Sequence, residues 1–520
     1  MPISGPQLAE PFVLSDILAK GLATKPDELA LVTNESRWTW RELDAASRRL
    51  AANYLALGLK LGDRVASLLP NRGALVVHYL ACFRAGLVAT PLNYRYQAPE
   101  VDHALEVSGA VVLVAHADRD ADLALSALAG KLPLGRIAYG AKDGREPALE
   151  TLIGKQPASS ELPQIEPSAP VYIFFTSGST GKPKGVTHTH ETFGWLAAAS
   201  AAGLALTHAD VFFPATSASH IAASSLTFAS FGAGVRVDLA RTFDGDEILS
   251  LLRNTRPTLL CMLPSPLFGL VRDHDATRDD FHSIRMCVSG GDKVSAELER
   301  EFTDLAGFTI EELYGMTETG TSTTNPPHGV NKLGSIGKLC PGYEASIRDD
   351  KGQEVGVDVP GRLWIRSRAN TIGYWNRPDA TAETIVDGWL DTGDLVSADA
   401  DGYLWFRGRK KQIIIHDGSN ICPQEVEESL LEHPAVDAAG VIGIHDLVHG
   451  ENVRAYVTIK PGATRPTGAD LMKFSRARVG YKAPSEIVFL DAMPINATGK
   501  VDRVALKQLA DEGITHGPPA

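Results

Sequence analysis

Between Arg64 and Ala115 the chain alternates in character with a regularity that few folds satisfy. Arg64–Leu69 reads as a strand, Ala74–Ala85 as a helix, Val88–Pro91 as a strand, Val101–Val107 as a helix and Ala110–Ala115 as a strand. Short apolar runs separated by helical segments imply right-handed βαβ units and a parallel sheet. No Gly-x-Gly-x-x-Gly joins strand to helix here, so the dinucleotide fingerprint is absent. Lys155–Pro170 carries four prolines and three serines and reads as a loop. A second α/β stretch follows, to about residue 330. Gly334–Ser367 reads as short strands with turns at Pro341-Gly342, Asp349–Gly352 and Pro360-Gly361, a β subdomain. After Arg409 the pattern restarts. Gln412–His416 is a predicted strand, Pro423–Glu432 a helix with proline in its first turn, Val436–Ile444 and Val453–Ile459 strands, and Ala469–Val479 a helix. With 520 residues the chain has room for more than one domain. The expected class is α/β: a large N-terminal domain (1–408) with parallel α/β subdomains and a β subdomain, plus a small α+β C-terminal domain (409–520).

The second feature is chemical. The apolar strand Val171–Phe175 runs into Thr176-Ser177-Gly178-Ser179-Thr180-Gly181-Lys182-Pro183-Lys184-Gly185. Small, hydroxylated and glycine residues let backbone N–H groups and hydroxyls fold around phosphate oxygens, and the lysines add positive charge. Taken alone, the same letters also spell a plain Gly/Ser turn. The loop is not a Walker A motif, because Thr176 stands at the first glycine position and Pro183 follows Lys182.

Composition narrows the partners. Lys and Arg number 50 against 63 Asp and Glu, a net charge of −13, which opposes binding to nucleic acid and to anionic lipid surfaces. A nucleotide meets local lysines rather than this global field. Five scattered cysteines (Cys82, Cys261, Cys287, Cys340, Cys422) lack metal-ligand spacing and point to a reducing, cytoplasmic setting. The N-terminus shows no signal pattern, and the most apolar stretch, Ala74–Leu92, contains His78, Arg84 and Pro91, which makes it too polar for a transmembrane segment.

Four further segments follow the loop in order: Glu312-Leu313-Tyr314-Gly315-Met316-Thr317-Glu318, Trp389-Leu390-Asp391-Thr392-Gly393-Asp394, Gly408-Arg409-Lys410-Lys411 and Asn496-Ala497-Thr498-Gly499-Lys500. With the loop they resemble the acyl-adenylate-forming (AMP-dependent synthetase/ligase) superfamily over nearly the whole chain, and most closely its fatty-acyl and aryl-CoA ligases. The resemblance implies an ATP-dependent carboxylic acid–CoA ligase with ATP, Mg2+ and CoA as its cofactor and substrates. Thr176, Ser177, Gly178, Ser179, Thr180 and Lys184 would cradle the departing phosphates. Thr317 would bond the α-phosphate, and Glu318, with Thr176, would hold Mg2+. Tyr314, flanked by Leu313 and Gly315, would stack on adenine, with Gly290, Gly291 and Asp292 on the other side of the base and Glu312 beside its amino group. Asp394 and Arg409 would hold the ribose. Lys500 would bridge the attacking carboxylate and the α-phosphate. His220 stands where the family keeps an acyl-site histidine, although a hydrogen-bonded core histidine is the plain alternative.

The same resemblance makes the C-terminal domain a mobile lid. It would turn about Lys411 after adenylation, withdrawing Lys500 and bringing Gly418, Ser419 and Asn420 to the CoA thiol. Two departures stand out: Asp292-Lys293 replaces the usual alanine-proline pair, and Ile415 stands where many coumarate-ligase-like members have lysine. Small residues after His220 (Ala222, Ala223, Ser224, Ser225) leave volume for a medium- or long-chain fatty acid or an aryl acid. No arginine near His220 would grip a second carboxylate, and no Phe-Asp-x-x-Ser would hold an ammonium group. Three alternatives remain: an enzyme that loads a carrier protein, a luciferase-like oxygenase, and a non-catalytic nucleotide sensor, the last disfavoured by the full catalytic set. A homodimer is left open.

Overall fold

The computed structural model describes residues 2–144, 147–176, 183–241, 244–409, 412–416, 419–446, 450–496 and 499–513, with backbone alone at 415, 419, 420 and 450. The chain forms two compact units, Met1–Ser346 with Trp364–Asp391, and Ile347–Leu363 with Thr392–Ala520.

The first unit holds two large sheets. In the seven-stranded one, Phe175 and its strand (Pro170–Phe175), Val88–Pro91, Arg64–Leu68, Val112–His116 and Arg136–Tyr139 lie side by side in that order and run parallel. Gly185–Thr189 returns antiparallel to Pro170–Phe175, and Gly373–Tyr374 pairs with its outer edge. The expected βαβ alternation is therefore present. The first crossover from Arg64–Leu68 goes to one side and the next to the other, so this strand is the switch point of the sheet.

The nine-stranded sheet runs parallel through Ile310–Met316, Met286–Gly290, Leu259–Met262, Val211–Ala215, Arg236–Leu239 and Leu29–Thr33. Gly320–Thr324 and Arg37–Thr39 add antiparallel strands. Here the switch strand is Val211–Ala215, between its two sequential successors. Ligands of open α/β sheets bind outside the carboxyl ends of strands at such points.

The apolar segment Gly73–Ala85 is a helix buried on every side, as an all-round hydrophobic helix must be. Two of its polar members, Arg84 and His78, find partners. Arg84 meets the Asp44 carboxylate at 2.6 Å, and His78, pushed down to about 3 by burial, bonds the Tyr54 hydroxyl at 2.9 Å as a neutral ring. No described helix is long and apolar enough to cross a membrane. The helix Ala98–Ser108 begins three residues before the expected Val101, because Gln97 caps it and the Glu100 carboxylate accepts the Gln97 N–H at 2.8 Å. Gly334–Ser367 contains the expected short strands, Lys338–Leu339, Tyr343–Arg348 and Gly361–Ser367.

The second unit contains the β-strands Ile414–His416, Ser419–Ile421, Val436–Asp446 and Gly450–Ile459, with Glu486–Phe489 parallel to the last. Helices Pro423–Leu431, Gly468–Val479 and Arg503–Asp511 accompany them. Arg503 grips both oxygens of the buried Glu427 at 2.6 Å, and Glu427 Oε1 also accepts the Val441 N–H at 2.7 Å. A charge-assisted contact of this kind, with Nη2 shared between the two oxygens, ties helix to helix and, through Val441, to the sheet.

Candidate active site

The phosphate-loop candidate spans two antiparallel strands whose neck is closed by a reciprocal pair. The Thr176 N–H donates to the Lys184 carbonyl at 3.2 Å, and the Lys184 N–H donates to Thr176 Oγ1 at 3.3 Å. Ser177, Gly178, Ser179 and Thr180 lie outside the described residues. Lys184 Nζ stands 4.0 Å from the centroid of the Tyr374 ring.

The Thr317–Glu318 turn joins Ile310–Met316 to Gly320–Thr324, and the Thr319 N–H closes it on the Met316 carbonyl at 3.1 Å. A bulge at Tyr314/Gly315 brings the two strands so close that a Cβ on Gly315 would sit 2.0 Å from the Gly320 carbonyl oxygen, which requires glycine there. His188 supports the turn from below. Burial pushes this ring down to about 4, so it is neutral, and its Nε2–H donates to the Thr317 carbonyl at 2.9 Å. Glu318 is only 5% exposed. Its Oε1 accepts the Tyr374 hydroxyl at 2.8 Å, and its carbonyl accepts the Thr371 N–H at 2.7 Å. Burial first, and the Glu318 charge second, push the Tyr374 phenol upward, so it remains a donor.

Tyr314 is buried beside this turn, whereas the Leu313 side chain belongs to the hydrophobic core and can offer a nucleotide only its backbone. The Glu312 carboxylate is buried and its Oε2 accepts the Val294 N–H at 3.3 Å, which ties it to the segment that follows Gly290-Gly291. Asp292 is exposed, with its Oδ1 on the Lys293 N–H at 2.9 Å. Gly290 and Thr317 thus come to the carboxyl ends of adjacent strands of one sheet, and Glu312, paired with Ser289, lies level with the end of the first of them.

His220 sits at the switch point of that sheet, as N-cap of the helix Ile221–Ala233. Its loop is anchored by a residue that the motifs did not single out. Asn71, buried just beyond the switch strand of the other sheet, donates to the Thr216 and Ala240 carbonyls at 2.8 and 3.0 Å and accepts the Ala218 N–H at 2.8 Å. One amide side chain therefore links the ligand-binding ends of both sheets. The only local signal for it is an asparagine following an apolar strand and a proline.

In the second unit, Asp394 and Arg409 face each other across an antiparallel ladder, with Nε to Oδ1 at 2.8 Å. The carboxylate is 1% exposed and the guanidinium 41%, so the pair presents its cationic side to solvent. Lys500 ends a tight loop. The Asn496 N–H donates to the Lys500 carbonyl at 2.8 Å, the Lys500 N–H to Asn496 Oδ1 at 3.2 Å, and Gly499 takes the left-handed φ of +86° that the turn needs. Lys482 pairs with the Glu425 carboxylate at 2.7 and 2.8 Å. Ser419 and Asn420 pair with His416 and Ile415 in a hairpin, while Lys411 and Gly418 lie outside the described residues. All five cysteines are free; burial pushes Cys261 and Cys340 up to about 12 and raises the other three thiols, which leaves them unreactive.

Comparison with known proteins agrees with this arrangement. The model of the AMP-binding enzyme family matches residues 18–375, and that of the AMP-binding enzyme C-terminal domain matches residues 425–500. A feruloyl-CoA synthase from an Amycolatopsis species is 34% identical over 476 residues, 89% of this chain and 92% of that one. A fatty acid–[acyl-carrier-protein] ligase from Streptomyces coeruleorubidus is 31% identical, covering 93% of each. The o-succinylbenzoate CoA synthetase of Bacillus subtilis, solved with its acyl-adenylate intermediate, superposes with a TM-score of 0.84 at 30% identity, over 96% of this chain and 99% of that one. The chain belongs to the AMP-binding enzyme family, and carries both the large enzyme module and the C-terminal domain.

Proposed function

We propose that this protein is an AMP-forming acid–thiol ligase that activates a carboxylic acid with ATP, releases pyrophosphate, and transfers the acyl group to CoA. The acid is a medium- or long-chain fatty acid or an aryl acid, in keeping with the small residues after His220 and with the feruloyl and fatty-acid relatives. The observation that carries the reading is the buried Glu318 carboxylate joined through Tyr374 to Lys184, at the neck of the phosphate loop. A hard oxygen ligand and a cation side by side suit a metal-bound triphosphate.

The chemistry sets the demands. A carboxylate attacks the α-phosphorus of ATP, so two anions must meet and a third must leave. Thr317, held by His188 and the hairpin turn, would bond the α-phosphate. Lys184 would neutralise the leaving phosphates. Asp394 would accept the ribose hydroxyls, with Arg409 alongside. Lys500 would stabilise charge growing between the acid and phosphorus. Glu318 and Thr176 would hold Mg2+, which when bound draws charge from the phosphate oxygens. The residues fit that ion: one buried carboxylate and a hydroxyl are hard donors, and Mg2+ commonly uses one or two carboxylates plus phosphate oxygens. Among the described residues no cluster of three or more His, Cys, Asp or Glu would cage a metal by itself, so the ion would arrive with the nucleotide.

The C-terminal domain (409–520), turning near Lys411, would then bring Gly418, Ser419 and Asn420 to the thiol of CoA. Free, mostly buried thiols support a cytoplasmic location. A second reading, transfer to a carrier protein instead of CoA, is favoured by the carrier-protein ligase among the relatives. The test is a panel of fatty and aryl acids with ATP and Mg2+, scored for pyrophosphate and for acyl-CoA. Thioester formed with CoA supports the first reading, pyrophosphate with thioester only on a holo carrier protein supports the second, and no pyrophosphate with any acid defeats both.

A further inference from the structure

Three separate segments of the first unit converge on Tyr374. Its hydroxyl donates to Glu318 Oε1 at 2.8 Å, its ring centroid lies 4.0 Å from Lys184 Nζ, and its own N–H is taken by Thr381 Oγ1 at 2.9 Å. The backbone explains why one side chain reaches both groups. Tyr374 pairs with Val186, two residues beyond Lys184, on the outer edge of the phosphate-loop hairpin. Its neighbour Thr371 reaches the same two segments, giving its N–H to the Glu318 carbonyl at 2.7 Å and its hydroxyl to the Thr187 carbonyl at 2.6 Å. The segment Thr371–Tyr374 is thus a clamp between the loop's closing strand and the Thr317–Glu318 turn.

A phenol serves this place better than other side chains. Its hydroxyl is a donor that a carboxylate accepts strongly, and its ring face attracts an ammonium group without neutralising it. An acidic residue there would satisfy Lys184 and repel both Glu318 and phosphate. A lysine or arginine would pair with Glu318 and take it from a metal.

We propose that Tyr374 is a positioning residue for the metal–triphosphate, setting the plane of the Glu318 carboxylate through its hydroxyl and the place of Lys184 through its ring. This rests on the adenylating function proposed above. The two contacts are separable, because phenylalanine keeps the ring and loses the hydroxyl, whereas leucine loses both. The experiment measures binding of a non-hydrolysable ATP analogue to the full chain by calorimetry, once with Mg2+ and once with EDTA, so no turnover is needed.

Tyr374→Phe is expected to weaken binding with Mg2+ by about tenfold, the scale of one hydrogen bond to a charged group, and to leave metal-free binding within about twofold of wild type. Tyr374→Leu is expected to weaken both, so that phenylalanine rescues the metal-free affinity that leucine lacks. Retention of the full Mg2+-dependent gain by Tyr374→Phe overturns the proposal. So does an equal loss by Tyr374→Phe in both conditions, which is what a merely structural residue gives. If leucine prevents folding, judged by the melting transition, the phenylalanine comparison decides alone. Failure of the wild-type protein to bind the analogue in either condition defeats the nucleotide function itself, a different outcome from an unaltered Tyr374→Phe.

Discussion

Glu311 lies beside the candidate adenine carboxylate Glu312 on the strand Ile310–Met316, and successive strand residues face opposite ways. Its Oε2 is buried without a hydrogen-bond partner among the described residues. Burial, with the Glu299 charge second, pushes Glu311 up to about 7 from 4.5. Glu299 is itself raised by burial, although it accepts the Ile310 N–H and the Thr303 hydroxyl, and the Cys287 thiol nearby is raised as well. Asp210 shows the converse: burial opposes its charge, yet Arg285, Thr207 and Thr258 hold it down to about 2. Because Glu311 binds its proton more tightly when folded, its contribution to stability is complete below pH 4.5 and is lost as pH rises through about 7. Buried neutral His78, His188 and His190 act in the opposite sense, destabilising the fold as pH falls, so the informative quantity is a difference between proteins. Glu311→Gln is expected to raise the melting temperature relative to wild type at pH 8 by several degrees and by little at pH 5. A melting difference independent of pH between 5 and 8 would contradict this account.

At the scale of elements, local pattern was enough for most of the architecture. The alternation from Arg64 onward, the restart after Arg409 and the strand that leads into the phosphate loop follow from apolar periodicity and turn residues, each within a few positions, whereas the antiparallel return Gly185–Thr189 was not read from them. Candidate site residues were legible where a motif packs several chemical groups into a few consecutive positions, as in Glu312–Glu318. The residues that hold those groups were not. Asn71 bonds Thr216 145 positions away, His188 bonds Thr317 across 129, and Tyr374 bonds Glu318 across 56. Such partners become visible only when strand order is known, because each sits where two distant strands end together. Asn71 gives this a measurable form. Truncation by Asn71→Ala strands one buried N–H and two buried carbonyls, a loss of about 2 kcal/mol or more. The slack falls on the loop that leads to His220, so KM for the acid should rise several-fold more than KM for ATP in steady-state assays. Equal changes in both constants would assign Asn71 to general stability.

At the scale of the whole molecule, the groups proposed for adenylation are divided between two compact units. Thr176, Lys184, Thr317 and Glu318 belong to the first, and Asp394, Arg409 and Lys500 to the second. A ligase that makes an anhydride and then a thioester has two transition states of different charge, and a single fixed arrangement cannot suit both. The proposed turn near Lys411 answers that requirement by moving the part of the second unit that follows it, with Lys500, between the two steps, while Asp394 keeps its place. Lys500 is a clean probe. Its loop is held by backbone groups and by the Asn496 side chain, so truncation of the lysine beyond Cβ leaves those bonds in place. Lys500→Ala is expected to slow adenylation, read as acid-dependent pyrophosphate release, by at least about 100-fold, the scale of one lost electrostatic stabiliser. Thioester formation from a supplied acyl-adenylate and CoA should be largely spared. Lys411→Pro should show the reverse, because a ring-locked φ resists the turn while leaving the adenylating arrangement available. If Lys500→Ala lowers both half-reactions equally, the lysine serves the fold or substrate binding in general, and the division of labour between the two units is wrong.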